Sequence, residues 1–147
     1  MTSIARIAKT AIAGLCLMVL AACASGPKFS EVQENLAARP ADSGRIYIYR
    51  TAIIGAGVQP AVKLNGEVIG SAVPQGFFYV DRPAGTYEIS TSTEVTRNLS
   101  LTLEPGQTRY VRLGISLGFV VGHVYPELVE DTVGSAEIQG CHYVASK

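Results

Sequence analysis

The chain has 147 residues, one domain's worth, with 12 basic and 12 acidic side chains. The balanced charge contains no run of like sign, which excludes the electrostatic footprint of a protein that tracks a nucleic-acid backbone. A hydrophobic share of 48% is high for a globular chain, and part of it is concentrated in the first 22 residues.

Those 22 residues read as an export signal. Arg6 and Lys9 supply a positive start, and Ala11–Leu20 is an apolar run too short to cross a bilayer as a helix. Small residues follow, and Leu20-Ala21-Ala22-Cys23 resembles the bacterial lipobox. That resemblance implies cleavage between Ala22 and Cys23, a diacylglycerol on the Cys23 thiol and an acyl chain such as palmitate on the new amine. Several acyl chains on one residue hold a protein to a membrane without a spanning helix. Ala24 stands where an Asp is the usual signal for inner-membrane retention, so the expected location is the outer membrane, facing the periplasm. Cys16 leaves with the signal and Cys23 is acylated, which makes Cys141 a lone thiol with no intrachain disulfide partner. It is either a small buried apolar residue or, in an oxidising compartment, an exposed thiol that is reactive or bridges to another molecule.

Residues 23–43 read as the acylated cysteine and a tether. Ser30 and Gln33 have capping-box spacing, and Val32, Leu36 and Ala37 form a weak apolar stripe before Pro40. A short helix over Glu31–Ala38 is expected, either packed on the domain or lifting it off the membrane. Residues 44–147 form the domain proper. "GRIYIYR" alternates with a period of two and reads as a strand with both faces partly covered. In "PAVKLNGEVIG", Asn65-Gly66 forms a hairpin turn, placing Val62 opposite Ile69 and Leu64 opposite Glu67. "FFYVDR" and "TYEISTS" are strands joined at Pro83-Ala84-Gly85. "RNLSLTLEPGQTRYVRLGI" reads as a further hairpin with Leu99, Leu101 and Leu103 on one face. Phe119–Tyr125 is a strand ended by Pro126, Glu127–Val133 is a helical turn or a strand, and Ser135–Val144 is an edge strand. Strands of this length and spacing predict an all-β fold, a small antiparallel β-sandwich with immunoglobulin- or prealbumin-like layering.

The stretches "GRIYIYR", "PAVKLNGEVIG", "AGTYEIS" and "LEPGQTRYVRL" resemble bacterial lipoproteins grouped as domain of unknown function 2846. The likeness runs from about Gly44 to Leu113. It implies a small β-sandwich displayed on an envelope membrane and carries over no catalytic residue, since its motifs are turns and strand starts. Fold does not fix function.

Candidate chemistry is sparse. "GISLG", Gly114–Gly118, matches the nucleophile-elbow pattern, and Asp131 and His142 follow in the Ser, Asp, His order of α/β-hydrolases. The elbow needs a strand-to-helix turn on a parallel sheet, whereas this stretch lies among antiparallel patterns. Gly114, Gly118 and Gly122 also have small-residue helix spacing, but their apolar run is half the length of a membrane span. The minority reading is a segment that dips into the bilayer beside the anchor. His123, His142 and Cys141 fit no zinc pattern. No metal and no cofactor are expected. The leading expectation is a non-enzymatic, lipid-anchored binding or scaffolding module that meets an envelope protein or a cell-wall glycan. A serine hydrolase using Ser116, Asp131 and His142 is one alternative. A subunit of a larger envelope assembly, marked by exposed apolar area near Phe119, is the other.

Overall fold

The structure is a computed structural model and describes residues 24–147, so the expected signal and Cys23 lie outside the described residues. Asn65 (φ 49°) and Gly66 (φ 86°) both take the left-handed conformation that a two-residue hairpin turn requires, and they join β2 (Ala61–Leu64) to β3 (Glu67–Ser71). Leu64 opposes Glu67 as expected. Val62 opposes Gly70 rather than Ile69, because a bulge leaves Ile69 as the extra residue. The bulge keeps Ile69 in the core and sets Gly70 beneath the Phe78 ring, where a Cβ would lie 2.7 Å from Cζ.

The remaining strands are β1 (Ser43–Arg50), β4 (Gly76–Pro83), β5 (Gly85–Ser92), β6 (Thr96–Leu103), β7 (Thr108–Ser116), β8 (His123–Val129) and β9 (His142–Tyr143). They form two sheets, with orders β8-β7-β1-β4-β9 and β3-β2-β5-β6. Pairing is mostly antiparallel, but β1–β7 and β4–β9 are parallel, so the first sheet is mixed. Alternate residues of both sheets share one apolar core: Ile46, Ile48, Phe78, Val80, Val111 and Leu113 from one, and Val62, Leu64, Ile69, Ile89, Leu101 and Leu103 from the other. Thr91 Oγ1 donates to the Val124 carbonyl at 2.6 Å, a buried hydrogen bond between the sheets.

The expected β6–β7 hairpin is corrected. The Pro105-Gly106 turn carries the chain from one sheet to the other, with β6 pairing β5 and β7 pairing β1 and β8. Leu101 and Leu103 point inward from one sheet and Val111 and Leu113 from the other, so the two segments face each other across the core instead of pairing. The C-terminal third also differs. β8 continues through Pro126, which opposes Leu113, because β8 is an edge strand and one side of its backbone needs no donor. The predicted edge strand over Ser135–Val144 is mostly helical, and only His142–Tyr143 pairs.

Two helices cover the outer face of the mixed sheet. They are α1 (Phe29–Glu34) and α2 (Asp131–Glu137), the second followed by a 3-10 turn, Ile138–Gly140. Phe29, Tyr47, Tyr49, Phe77, Tyr110, Ile138 and Cys141 form a second apolar cluster there. Its rings meet edge to face, with Phe29 5.3 Å from Tyr47 and 5.2 Å from Phe77. This second layer explains why every residue of β1 is buried. Helix α1 begins and ends earlier than the expected Glu31–Ala38. Phe29 is drawn into the cluster, Glu31 accepts the Lys28 amide at 3.2 Å, and Asn35 ends the helix by donating to the Glu31 carbonyl. The segment before it is docked on the domain. The Ala24 amide donates to Pro74 O, the Tyr143 amide to Pro27 O and the Phe29 amide to Cys141 O, at 3.0, 2.8 and 3.2 Å.

Candidate functional site

The strand pairings sort the loops into two ends. Residues 51–60, 72–75, 93–95 and 117–122 share one end, together with Ala24; the turns at 65–66, 83–84 and 104–107 and the start of α2 share the other. This arrangement separates the expected hydrolase set. Ser116 closes β7 at the first end and Asp131 opens α2 at the other, roughly 20 Å away along the β7–β8 ribbon. His142 lies on β9, three strand spacings or about 14 Å from β7. Neither distance permits the ~3 Å contacts of a triad. The elbow itself is absent. Gly114 is a mid-strand residue covered by the Tyr125 ring, where a Cβ would lie 2.5 Å from Cζ.

The histidine that does approach Ser116 is His123, its direct cross-strand partner. Its nitrogens are directed elsewhere. Nδ1 lies 3.2 Å from Thr93 Oγ1, and Nε2 faces Glu94 Oε2 at 3.6 Å. His142 Nδ1 is buried without a hydrogen-bond partner among the described residues. No cluster of three His, Cys, Asp or Glu side chains suited to a metal occurs among the described residues.

A cleft lies between β6 and the β7–β8 ribbon. Arg97, Asn98, Ser116, Tyr125 and Pro126 line its volume of about 410 Å³. It continues past Arg97 and Ser116 to Leu117, Phe119 and His123. Arg97 makes no ion pair or side-chain hydrogen bond among the described residues. The cleft therefore offers an unanswered guanidinium, an amide, a hydroxyl and an aromatic phenol side by side, a set that suits a small polar ligand carrying an anionic group.

Two charged side chains shape the loops beside this cleft, and the sequence reading singled out neither. Arg50 ends β1 fully buried and donates to the carbonyls of Ala52, Val58, Ala72, Ile54 and Gly55 at 2.7–3.2 Å. Glu94 accepts the backbone amides of Phe119, Val120 and Val121 at 3.0, 2.6 and 2.8 Å. These amides, Val121 first, hold the Glu94 carboxyl below its ordinary range, with His123 adding to the effect. The available signal was an Arg at the end of a strand, directly before a loop without charge.

On the helical face, Tyr49 donates to Glu137 Oε2 at 2.6 Å, and Arg112 bridges Glu137 and Glu127 at 2.7 and 3.0 Å. Burial, and then the Glu137 hydrogen bond, push the Tyr49 phenol far up. Cys141 is a free thiol, buried, and pushed up to about 11 by burial and by Glu137. A buried, protonated thiol is a poor nucleophile, which favours the packing role over the exposed one.

A family model described as a protein of unknown function (DUF2846) matches residues 40–124. The match spans β1 to the start of β8 and takes in Arg97, Asn98 and Ser116 of the cleft, ending just before Tyr125 and Pro126. No curated protein and no solved structure matches the chain.

Proposed function

The chain belongs to the DUF2846 family, and from that premise we propose that it is an envelope lipoprotein whose β domain is a non-catalytic binding module. The anchor is Cys23, acylated after cleavage behind Ala22, and the location is the outer membrane facing the periplasm. The motif Leu20-Ala21-Ala22-Cys23, after a short apolar run and two basic residues, supports this part of the reading. Mass spectrometry of the protein extracted from membranes should show a chain that starts at Cys23 and carries acyl groups. A Cys23→Ala variant should leave the membrane fraction.

The observation that carries the binding role is the cleft in which Arg97 stands without an acidic partner, beside Asn98, Ser116 and Tyr125. A guanidinium left open in a concave polar site is suited to a carboxylate or phosphate on a ligand, and Tyr125 offers a ring for a sugar face. Anionic cell-wall fragments have this chemistry. Titration of the full acylated chain in detergent with muramyl peptides should show saturable binding, weakened about tenfold or more by Arg97→Gln, the loss of one charge-assisted contact. Binding that ignores the Arg97 substitution would remove the cleft from the proposal.

A further inference from the structure

The exposed apolar side chains are not scattered. Of the nine large ones exposed among the described residues, seven lie at one end: Ile53, Ile54, Val95, Leu117, Phe119, Val120 and Val121. Leu117, Phe119, Val120 and Ile54 are 97%, 103%, 89% and 80% exposed, as open as side chains become. Six of the seven lie in loops 51–60 and 117–122, which, like the neighbouring loop 72–75, contain no Asp, Glu, Lys or Arg; Val95 lies in loop 93–95, whose Glu94 is taken up by the amides of loop 117–122. The opposite end carries Arg39, Asp42, Arg82, Glu104, Glu130 and Asp131. Scattered apolar residues need no explanation, but a cluster of them on adjacent loops without charge does.

Part of the polar backbone of these loops is held by two buried or loop-embedded charges: carbonyls in one loop and amides in the other. Arg50 collects carbonyls of loop 51–60, and Glu94 collects three amides of loop 117–122. One cation and one anion thus bind polar groups that water would otherwise have to hold. Apolar side chains project outward from a backbone part of whose polar atoms already have partners within the fold, which lowers the cost of entering a low-dielectric medium.

The chain itself indicates which medium. Ala24, the first described residue, is fixed to Pro74 at this same end, and Cys23 directly precedes it. Pro74 leads into β4, which is separated from β8 by β1 and β7, so Ala24 lies roughly 15 Å across the sheet from the start of β8. The β7–β8 ribbon runs three residues, roughly 10 Å, past the level at which β1 ends.

We propose that this end is a bilayer-insertion surface: loops 51–60 and 117–122 place Ile53, Ile54, Leu117, Phe119 and Val120 among the lipid chains beside the acylated Cys23. The occupant is lipid because the attachment point of the anchor and two projecting, uncharged apolar loops coincide at one end. The domain then stands on the membrane in a fixed orientation, its cleft at headgroup height and its charged end away. The inference rests on the lipid-anchored reading, and the test separates the two.

The chain contains no tryptophan, so Phe119→Trp introduces a single reporter at a fully exposed position. Thr86→Trp, exposed near the charged end, is the control. The full-length acylated protein is purified from membranes and reconstituted into phosphatidylethanolamine–phosphatidylglycerol vesicles with brominated chains. An indole seated some 5–10 Å into the headgroup–acyl boundary should shift to the blue and lose emission roughly twofold or more, while the control stays unquenched. Protein that floats with the vesicles but leaves the indole at 119 unquenched overturns the insertion and spares the anchor. Protein that fails to float overturns both. In cells, a benzophenone side chain placed at Val120 should form lipid adducts. A single discrete protein adduct would instead make this end a subunit interface and overturn the proposal.

Discussion

Glu94 is the residue on which the shape of loop 117–122 turns. Its two oxygens hold three successive amides, Phe119 through Val121, and His123 and Arg97 are the other chargeable groups on the surfaces around it. A carboxyl held below its ordinary pKa stabilises the fold fully above that ordinary value. The contribution is lost as pH falls through the depressed folded value. The amide shifts of Phe119, Val120 and Val121 should therefore titrate together on acidification, with a midpoint below the usual carboxylate range. Glu94→Gln should abolish that titration and speed exchange of the same three amides. A midpoint at or above the usual range would mean that the carboxylate does not hold the loop. This arrangement was not legible in the sequence, because the amides lie 25 to 27 positions downstream and any carboxylate reads alike before the fold brings donors to it. Arg50 was missed for a related reason. Its acceptors are backbone carbonyls, which carry no residue-type signature.

Elements with a local cause were read well. Asn65-Gly66 dictates its hairpin, and the alternation of "GRIYIYR" gives β1 as a strand partly covered on both faces, which the structure extends to complete burial. What failed was pairing between elements. Pro105-Gly106 looks the same whether the next strand returns beside β6 or crosses to the other sheet; the inward leucines and valines of both segments settle it. Helix α1 was placed too late because Phe29 lies before its apolar stripe and is fixed by contacts with Tyr47 and Phe77, far along the chain. Ser116 and His142 looked like partners in linear order, but the sheet order sets two strands between theirs. Phe29 now defines a prediction for its element. It is 1% exposed and is the ring through which the N-terminal segment grips the mixed sheet. Phe29→Ala should cost about 3–5 kcal/mol in urea unfolding of the full chain. It should also free the Ala24 and Tyr143 amides to exchange. A loss under about 1 kcal/mol would mean that the segment is merely draped over the domain.

At the scale of the molecule, the mixed sheet is the structural centre and the second sheet is one of its two coverings. β1 is paired on both sides, by β4 and β7, and covered on both faces, by the second sheet and by the aromatic cluster under the helices. β6, in contrast, edges its sheet and alternates buried with exposed residues only toward its end. No partial opening exposes β1 without disrupting both cores, so its amides should exchange only through global unfolding. Hydrogen exchange of the full chain in detergent should rank Ile46 through Tyr49 slowest and Thr96 through Ser100 among the fastest of the strands. The difference should be about 3 kcal/mol or more, a substantial part of the stability of a domain this size. The inverse order, with β1 opening before β6, would mean that the helical layer detaches as a unit and that the aromatic cluster is an independent, weaker core. The same ranking bears on attachment. The segment next to Cys23 is held through Pro74 to the start of β4, the neighbour of β1, with a second contact from Tyr143 on the short edge strand β9. A domain fixed to a membrane beside β4, the neighbour of its most stable strand, transmits its orientation to the cleft, whereas one held through a fraying edge alone would let the cleft wander.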